Sequence, residues 1–264
     1  MGKVTRFLAK KLFGAGKVKG QKFWYNIYQL SLFGMNIGRG SDLESSGETF
    51  IMQYIHEHIV NSEHPVLFDA GANVGEYTLN LLHYFDHASI HSFEPAQETY
   101  RTLCQNVKSP NVCLINAGLS DKCSEQTLFY DEANSKLASL YNRQLDYFGI
   151  HYSKSETVSL DTIDHYCQER GISQIDFLKI DVEGNELKVL LGAQQMISSG
   201  CIHAIQIEFG GTNIDSRTYF RDFWNMLHER FHVYRIVCDG LYEIDSYTEL
   251  LEIFTCTNYL FIKR

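Results

Sequence analysis

The sequence predicts an α/β protein: a seven-stranded, doubly wound, Rossmann-like sheet preceded by an N-terminal helical extension. Three observations carry this expectation. Strand-like and helix-like segments alternate along most of the chain. The first strand runs directly into a glycine turn, Val66-Leu-Phe-Asp-Ala-Gly-Ala-Asn-Val-Gly75. The second strand ends in the acid Glu94, which lies 94 − 75 = 19 residues beyond Gly75. At that offset an α/β unit places a carboxylate beside a nucleoside ribose.

The elements follow in order. From Met1 to Lys22 there are seven basic residues and no acid, with Val4, Phe7, Leu8, Leu12 and Phe13 at helical spacing. This amphipathic segment predicts a helix docked on the acidic body, with peripheral contact to an anionic membrane as the alternative. Residues 1–47 form the extension and 48–264 the main domain. The stretch from Met35 to Glu48 suits a lid over the site, or only the approach to a helix from Glu48 to Ile59. A strand around Leu67, a helix from Val74 to Tyr84, a strand from Ser89 to Phe93, a helix from Gln97 to Asn106 and a strand from Val112 to Ala117 give βαβαβ. Between Leu128 and Ser159 the pattern blurs into polar sequence, expected to be an insertion or flexible wall near the site. Alternation resumes with a helix from Thr162 to Glu169, a strand from Ile175 to Ile180, a helix from Glu186 to Met196 and a strand from Ala204 to Phe209. An amphipathic stretch from Ser216 to Glu229 then precedes a late hairpin of strands at His232–Val237 and Tyr259–Ile262.

Composition bounds the function. With 264 residues, 44% hydrophobic and 21% charged, the chain can build one large core. A net charge of −9 argues against a nucleic-acid surface. Seven scattered cysteines without a Cys-x-x-Cys pair read as buried thiols of a cytoplasmic protein.

Physically, Gly71 and Gly75 allow positive φ and close approach of a ligand to backbone, and Asn73 tolerates the same dihedrals. The turn lacks the third glycine of dinucleotide sites and the Gly-Lys-Ser/Thr of phosphate loops, so a cofactor without phosphates fits best. A second constellation is Lys179-Ile-Asp-Val-Glu-Gly-Asn-Glu186. Asp181 ends the fourth strand and faces the same crevice as Asp69 and Glu94, because ligands sit at the carboxyl ends of such strands. Asp181 as a helix cap neutralised by Lys179 is the blander reading. Glu208 adds an acid to the rim, unless it only pairs with Lys179.

The turn from Asp69 to Thr78, Phe93-Glu94-Pro95, Leu160-Asp161, the run from Asp176 to Glu186 and Leu190-Leu-Gly-Ala193 together resemble the FkbM family of S-adenosylmethionine-dependent methyltransferases. The likeness covers about residues 47–209. It implies the class I methyltransferase fold and methylation of a hydroxyl oxygen, on a sugar, polysaccharide or natural-product acceptor. It also implies that Asp69, Gly71, Asn73 and Gly75 cradle the methionine part and that Glu94 grips both ribose hydroxyls. Asn116 and Ala117 would approach the adenine, with Ser120 and Asp121 as nearby alternatives.

An alcohol is a poor nucleophile at neutral pH, so methyl transfer to it needs alignment and a base. Asp181 is the first candidate, followed by Glu183 and Glu208. A divalent metal on Asp181 and Glu208 is the less favoured route, since no spacing resembles a metal loop. Among eleven histidines, none shows the pairing of a zinc helix; His203 is the least improbable base. Two other classes stand against this reading. A nicotinamide oxidoreductase would want a third glycine where Glu76 would repel a pyrophosphate, and a noncatalytic scaffold would not need the rim acids.

Overall fold

The computed structural model describes residues 3–39 and 46–264. A helical hairpin of α1 (Lys3–Phe13) and α2 (Gln21–Gly34) comes first, and α3 (Glu48–His58) leads into the sheet. Then follow β1 (Val66–Ala70), α4 (Glu76–Tyr84), β2 (Ser89–Phe93), α5 (Gln97–Asn106) and β3 (Val112–Ile115). After a short segment, β4 (Gly118–Leu119), come β5 (Ser124–Tyr130), β6 (Lys154–Asp161), α6 (Ile163–Arg170), β7 (Ile175–Ile180), α7 (Glu186–Leu191) and α8 (Gln194–Ser198). The chain closes with β8 (Ile202–Phe209), α9 (Thr212–Ser216), α10 (Phe220–Leu227), β9 (Phe231–Val237), β10 (Gly240–Glu243) and β11 (Thr257–Lys263).

The central sheet has the order β10-β9-β11-β8-β7-β1-β2-β3. Strands β8, β7, β1, β2 and β3 pair in parallel, whereas β11 lies antiparallel between β8 and β9. This is the expected class I methyltransferase architecture, with the seven anticipated strands plus β10 added as an edge to the late hairpin. The strands read as unbroken apolar runs because both faces are covered. Along β1, Leu67 points into one core cluster and Phe68 into the other, and along β7 Phe177 and Leu178 divide the same way. Each such side chain contributes roughly 1.5–3 kcal/mol by leaving water.

The polar region after Leu128 supplies part of the wall near the site, through Ser135, Lys136, Ala138 and Leu140, and is bounded by regular structure: β5 pairs antiparallel with β6, and β4 joins them in a second sheet. Two local expectations are corrected. The helix expected from Glu186 to Met196 breaks into two at Gly192. A Cβ there would meet the Ser120 carbonyl oxygen at 2.0 Å, so the connection is held against that carbonyl. The buried-thiol expectation holds for Cys167 alone, Cys123 and Cys238 being exposed and the other four half-buried.

The N-terminal hairpin also departs from expectation. The basic segment expected to dock as a helix forms α1, and none of its described side chains is buried; α2 after it buries none either. Part of the anticipated lid, residues 40–45, lies outside the described residues. At its end Glu48 starts α3 after Gly47, whose φ of +86° places it in the left-handed region.

Candidate active site

The carboxyl ends of β1, β2 and β7 meet at one cavity of about 190 Å³. Gly71, at φ +83°, leaves β1 in the left-handed region, and a Cβ there would sit 1.8 Å from the Asp181 carbonyl oxygen. Only glycine lets the turn after β1 cross the turn after β7 at that distance. The Asp181 N–H donates to the Ala70 carbonyl at 3.1 Å, and the N–H groups of Gly71 and Ala72 donate to Phe93 at 3.0 and 2.9 Å. Three strand ends are thereby tied together by backbone.

Glu94 lies on the cavity wall and is 6% exposed. Its two carboxylate oxygens accept from Asn73 N–H (3.0 Å) and Ala96 N–H (2.8 Å). Burial pushes its pKa up to about 7, against the pull of those two N–H groups. Beside it Pro95, Gly118, Leu119, Leu128, Leu140 and Leu160 form an apolar slot. Asn185, 1% exposed, also lines the cavity. Its Nδ2 donates to the Leu119 carbonyl (3.0 Å) and Ser120 Oγ (3.2 Å), which leaves Oδ1 buried without a hydrogen-bond partner.

The other end is ionic. Lys179, in register with Asp69, reaches the Asp69 carboxylate (3.3 Å), the Asp181 carboxylate (3.7 Å) and the Gly71 carbonyl (3.1 Å), and lies 5.0 Å from the centre of the Tyr77 ring. Burial disfavours its charge, but Asp69, Asp181 and Glu48 more than offset this, and its pKa is raised. Glu48 projects into the cavity from α3, and burial pushes it up to about 7 despite Lys179. Glu183, at φ +53°, lines the same end. Burial, together with Asp181 and Glu208, raises its pKa well above the carboxylate range. It is held by Arg143 at 2.7 Å, and Arg143 also binds Asp215 at 3.2 Å. Glu186 Oε1 accepts from Gly184 N–H (2.9 Å) and Val182 N–H (3.2 Å), stitching the 181–185 turn.

The structure thus brings Gly71, Asn73, Glu94, Asp181 and Glu183 together on one wall. Other expected residues stand elsewhere. Asp69 is fully buried behind the cavity and does not line it, accepting from Thr78 Oγ1 at 2.7 Å and facing Lys179. Gly75 does not line the cavity; a Cβ there would lie 2.7–2.8 Å from Val107 and Leu103, so its role is close packing of α4 on α5. Asn116 and Ala117 are also off the wall, since Asn116 Nδ2 is spent on the Glu94 and Pro95 carbonyls, and Gly118 and Leu119 take their place. Ser120 and Asp121, their suggested alternatives, do not line it either.

Glu208 lies off the wall too, with burial and Asp181 raising its carboxyl to about 8. Asp181 is no helix cap, because Glu186 serves that turn, and His203 is remote, facing Asp176 at 3.3 Å. Among the described residues, the one trio of potential metal-ligand atoms within 4.8 Å of one another is Cys123, Asp161 and His165, none of which lines the cavity.

A buried acid beside an apolar slot and a glycine turn at a sheet's carboxyl edge define a nucleoside-cofactor enzyme of the class I methyltransferase type. The chain belongs to the methyltransferase FkbM domain family, whose model matches residues 69–236. The cofactor of that family is S-adenosylmethionine. Similar curated proteins include methyltransferase sdnD of Sordaria araneosa, 30% identical over 50% of this chain and 61% of its own. Another is the 31-O-demethyl-FK506 methyltransferase FkbM of Streptomyces tacrolimicus, 27% identical over 49% of this chain and 59% of its own. The matches thus span about three-fifths of those relatives. A solved FkbM methyltransferase from Methylobacillus flagellatus KT superposes with a TM-score of 0.47 at 16% identity, covering 89% of this chain and 59% of that one.

Proposed function

We propose that the chain transfers the methyl group of S-adenosylmethionine to a hydroxyl oxygen of a small-molecule or glycan acceptor. The observation that carries the reading is the position of Asp181. It is a cavity-lining carboxylate, locked by its own backbone to the strand end that begins the cofactor turn. The hydroxyl as acceptor is supported by the name of the Streptomyces relative, a 31-O-demethyl-FK506 methyltransferase.

The residues present fit the cofactor. Glu94 has lone pairs left for a ribose diol after its two backbone bonds, the apolar slot beside it suits a purine, and Asn185 Oδ1 offers an unused acceptor. Gly71, Asn73 and Val74 surround the remaining end. When bound, S-adenosylmethionine supplies an electrophilic sulfonium methyl. Asp181 would accept the acceptor hydroxyl proton as the methyl carbon passes from sulfur to oxygen, leaving S-adenosylhomocysteine, and Lys179 would hold Asp181 in place. Glu183 is occupied by Arg143 and orients the turn. Glu48, facing the same space, is a second proton acceptor within the cavity, one whose role the sequence suggested only as a lid contact.

The test combines a thermal-shift titration with S-adenosylhomocysteine and NAD with transfer of labelled methyl from S-adenosylmethionine into sugar and natural-product fractions. S-adenosylhomocysteine should stabilise by mass action. Asp181→Asn should lower transfer by about 10²–10⁴-fold with cofactor affinity nearly unchanged. Stabilisation by NAD alone would retire the proposal.

A further inference from the structure

The N-terminal hairpin, which methyl transfer does not use, breaks the usual surface pattern. Among the described residues, eleven of the nineteen exposed large apolar side chains lie between Phe7 and Met35, including Val18 at 93%, Leu30 at 63% and Phe7 at 62%. Helix α2 carries Lys22 as its one charge, and although Trp24 and Leu32 are half-buried, its Phe23, Tyr25, Ile27, Tyr28, Leu30 and Phe33 are exposed. An exposed apolar patch of that extent marks an interaction surface.

The hairpin has a fixed shape. Gly20 packs so closely that a Cβ would lie 2.5 Å from the Gly14 carbonyl oxygen, Phe13 stacks on Phe23 at 5.0 Å, and Trp24 Nε1 donates to the Phe13 carbonyl at 3.1 Å. Its far end is fastened to the body: Ile37 is buried and Gly38 N–H donates to the Cys256 carbonyl at 2.8 Å.

Charge identifies the occupant. Residues 1–41 hold 8 of the 23 basic residues and none of the 32 acids, a charge of +8; the remaining chain carries 15 − 32 = −17. Arg6, Lys10, Lys17, Lys19 and Lys22 are exposed, and among the described residues none has an acidic partner. We propose that this hairpin docks the protein on an anionic lipid bilayer, with Phe7, Leu8 and the apolar faces of α2 in the headgroup–acyl boundary and the lysines on the phosphates. The acidic body of a second copy would match the charge but offers only scattered exposed apolar side chains. At 14 residues α2 is about 21 Å long, too short to span, so it lies in the interface.

The test is co-sedimentation of the full chain with phosphatidylcholine vesicles, with and without roughly a third phosphatidylglycerol, at about 0.1 M and about 0.5 M salt. Binding should require the anionic lipid and weaken with salt. Lys10→Ala/Lys11→Ala should reduce partitioning about 25-fold, at about five-fold per basic residue, and Leu30→Ser should also reduce it. Both changes are on exposed positions. Equal binding to phosphatidylcholine alone, no binding, or wild-type partitioning by the lysine variant would overturn the proposal. So would a concentration-dependent dimer lost in Leu30→Ser without vesicle binding. S-adenosylhomocysteine affinity, measured in parallel, keeps this outcome separate from that of the methyl-transfer reading.

Discussion

Replacing Glu94 with Gln separates binding from stability in opposite directions. In the wild-type protein, ionising this buried carboxyl at a pKa of about 7 rather than 4.5 corresponds to about 3 kcal/mol. The folded-state value is raised, so this stability is fully present below about pH 4.5 and is lost as pH rises through about 7. Glutamine carries no such term, although its NH2 group would face one of the backbone N–H donors of Asn73 or Ala96, returning about 1 kcal/mol of the gain. The apo variant should therefore be more stable than wild type at pH 8 by roughly 2 kcal/mol, and the two should converge near pH 5. Affinity for S-adenosylhomocysteine should fall by about 2–3 kcal/mol, roughly 30- to 150-fold, because a charged acceptor for the ribose diol is lost. Urea denaturation across pH gives the first quantity and isothermal titration calorimetry the second. A variant that binds S-adenosylhomocysteine like wild type would refute the cofactor role of Glu94, and an unchanged pH slope would refute the burial argument.

Other substitutions probe the remaining links. Gly71→Ala, which forces a Cβ to 1.8 Å from a carbonyl oxygen at φ +83°, should cost more than about 3 kcal/mol in urea denaturation; a loss below about 1 kcal/mol would mean that the turns can separate. Arg143→Met should destabilise by about 3–5 kcal/mol by removing the partner of Glu183 and Asp215. Pulse proteolysis reads this, and a loss below about 1 kcal/mol would contradict it. Asn185→Leu should weaken S-adenosylhomocysteine binding about tenfold, the size of one hydrogen bond; calorimetry showing no change would remove Oδ1 from the site.

The sheet was legible because every strand beneath two helical layers had to be apolar, and helix termini were marked locally, as where Thr162 caps α6 through His165 N–H. Strands β5 and β6 were not, because only Leu128, Val158 and Leu160 along them are fully buried, too few to print a period. In the site, Glu94, Gly71 and Asp181 could be found from spacing to strand ends. Arg143 and Asn185 could not, since their partners Asp215 and Leu119 stand 72 and 66 residues away. Gly75 misled for a related reason: a helix-packing glycine and a ligand-facing glycine look identical in sequence.

The contact between Gly71 and Asp181 has a consequence for redesign. Because the two turns abut through backbone, the half of the cavity proposed for the nucleoside and the half proposed for proton removal behave as one casting. The residues from Ser135 to Leu140 reach the cavity from a separate stretch of chain, attached through Asn73 Nδ2 and Ser139 Oγ. Altered acceptor preference is therefore best sought by exchanging that stretch, with the casting left intact.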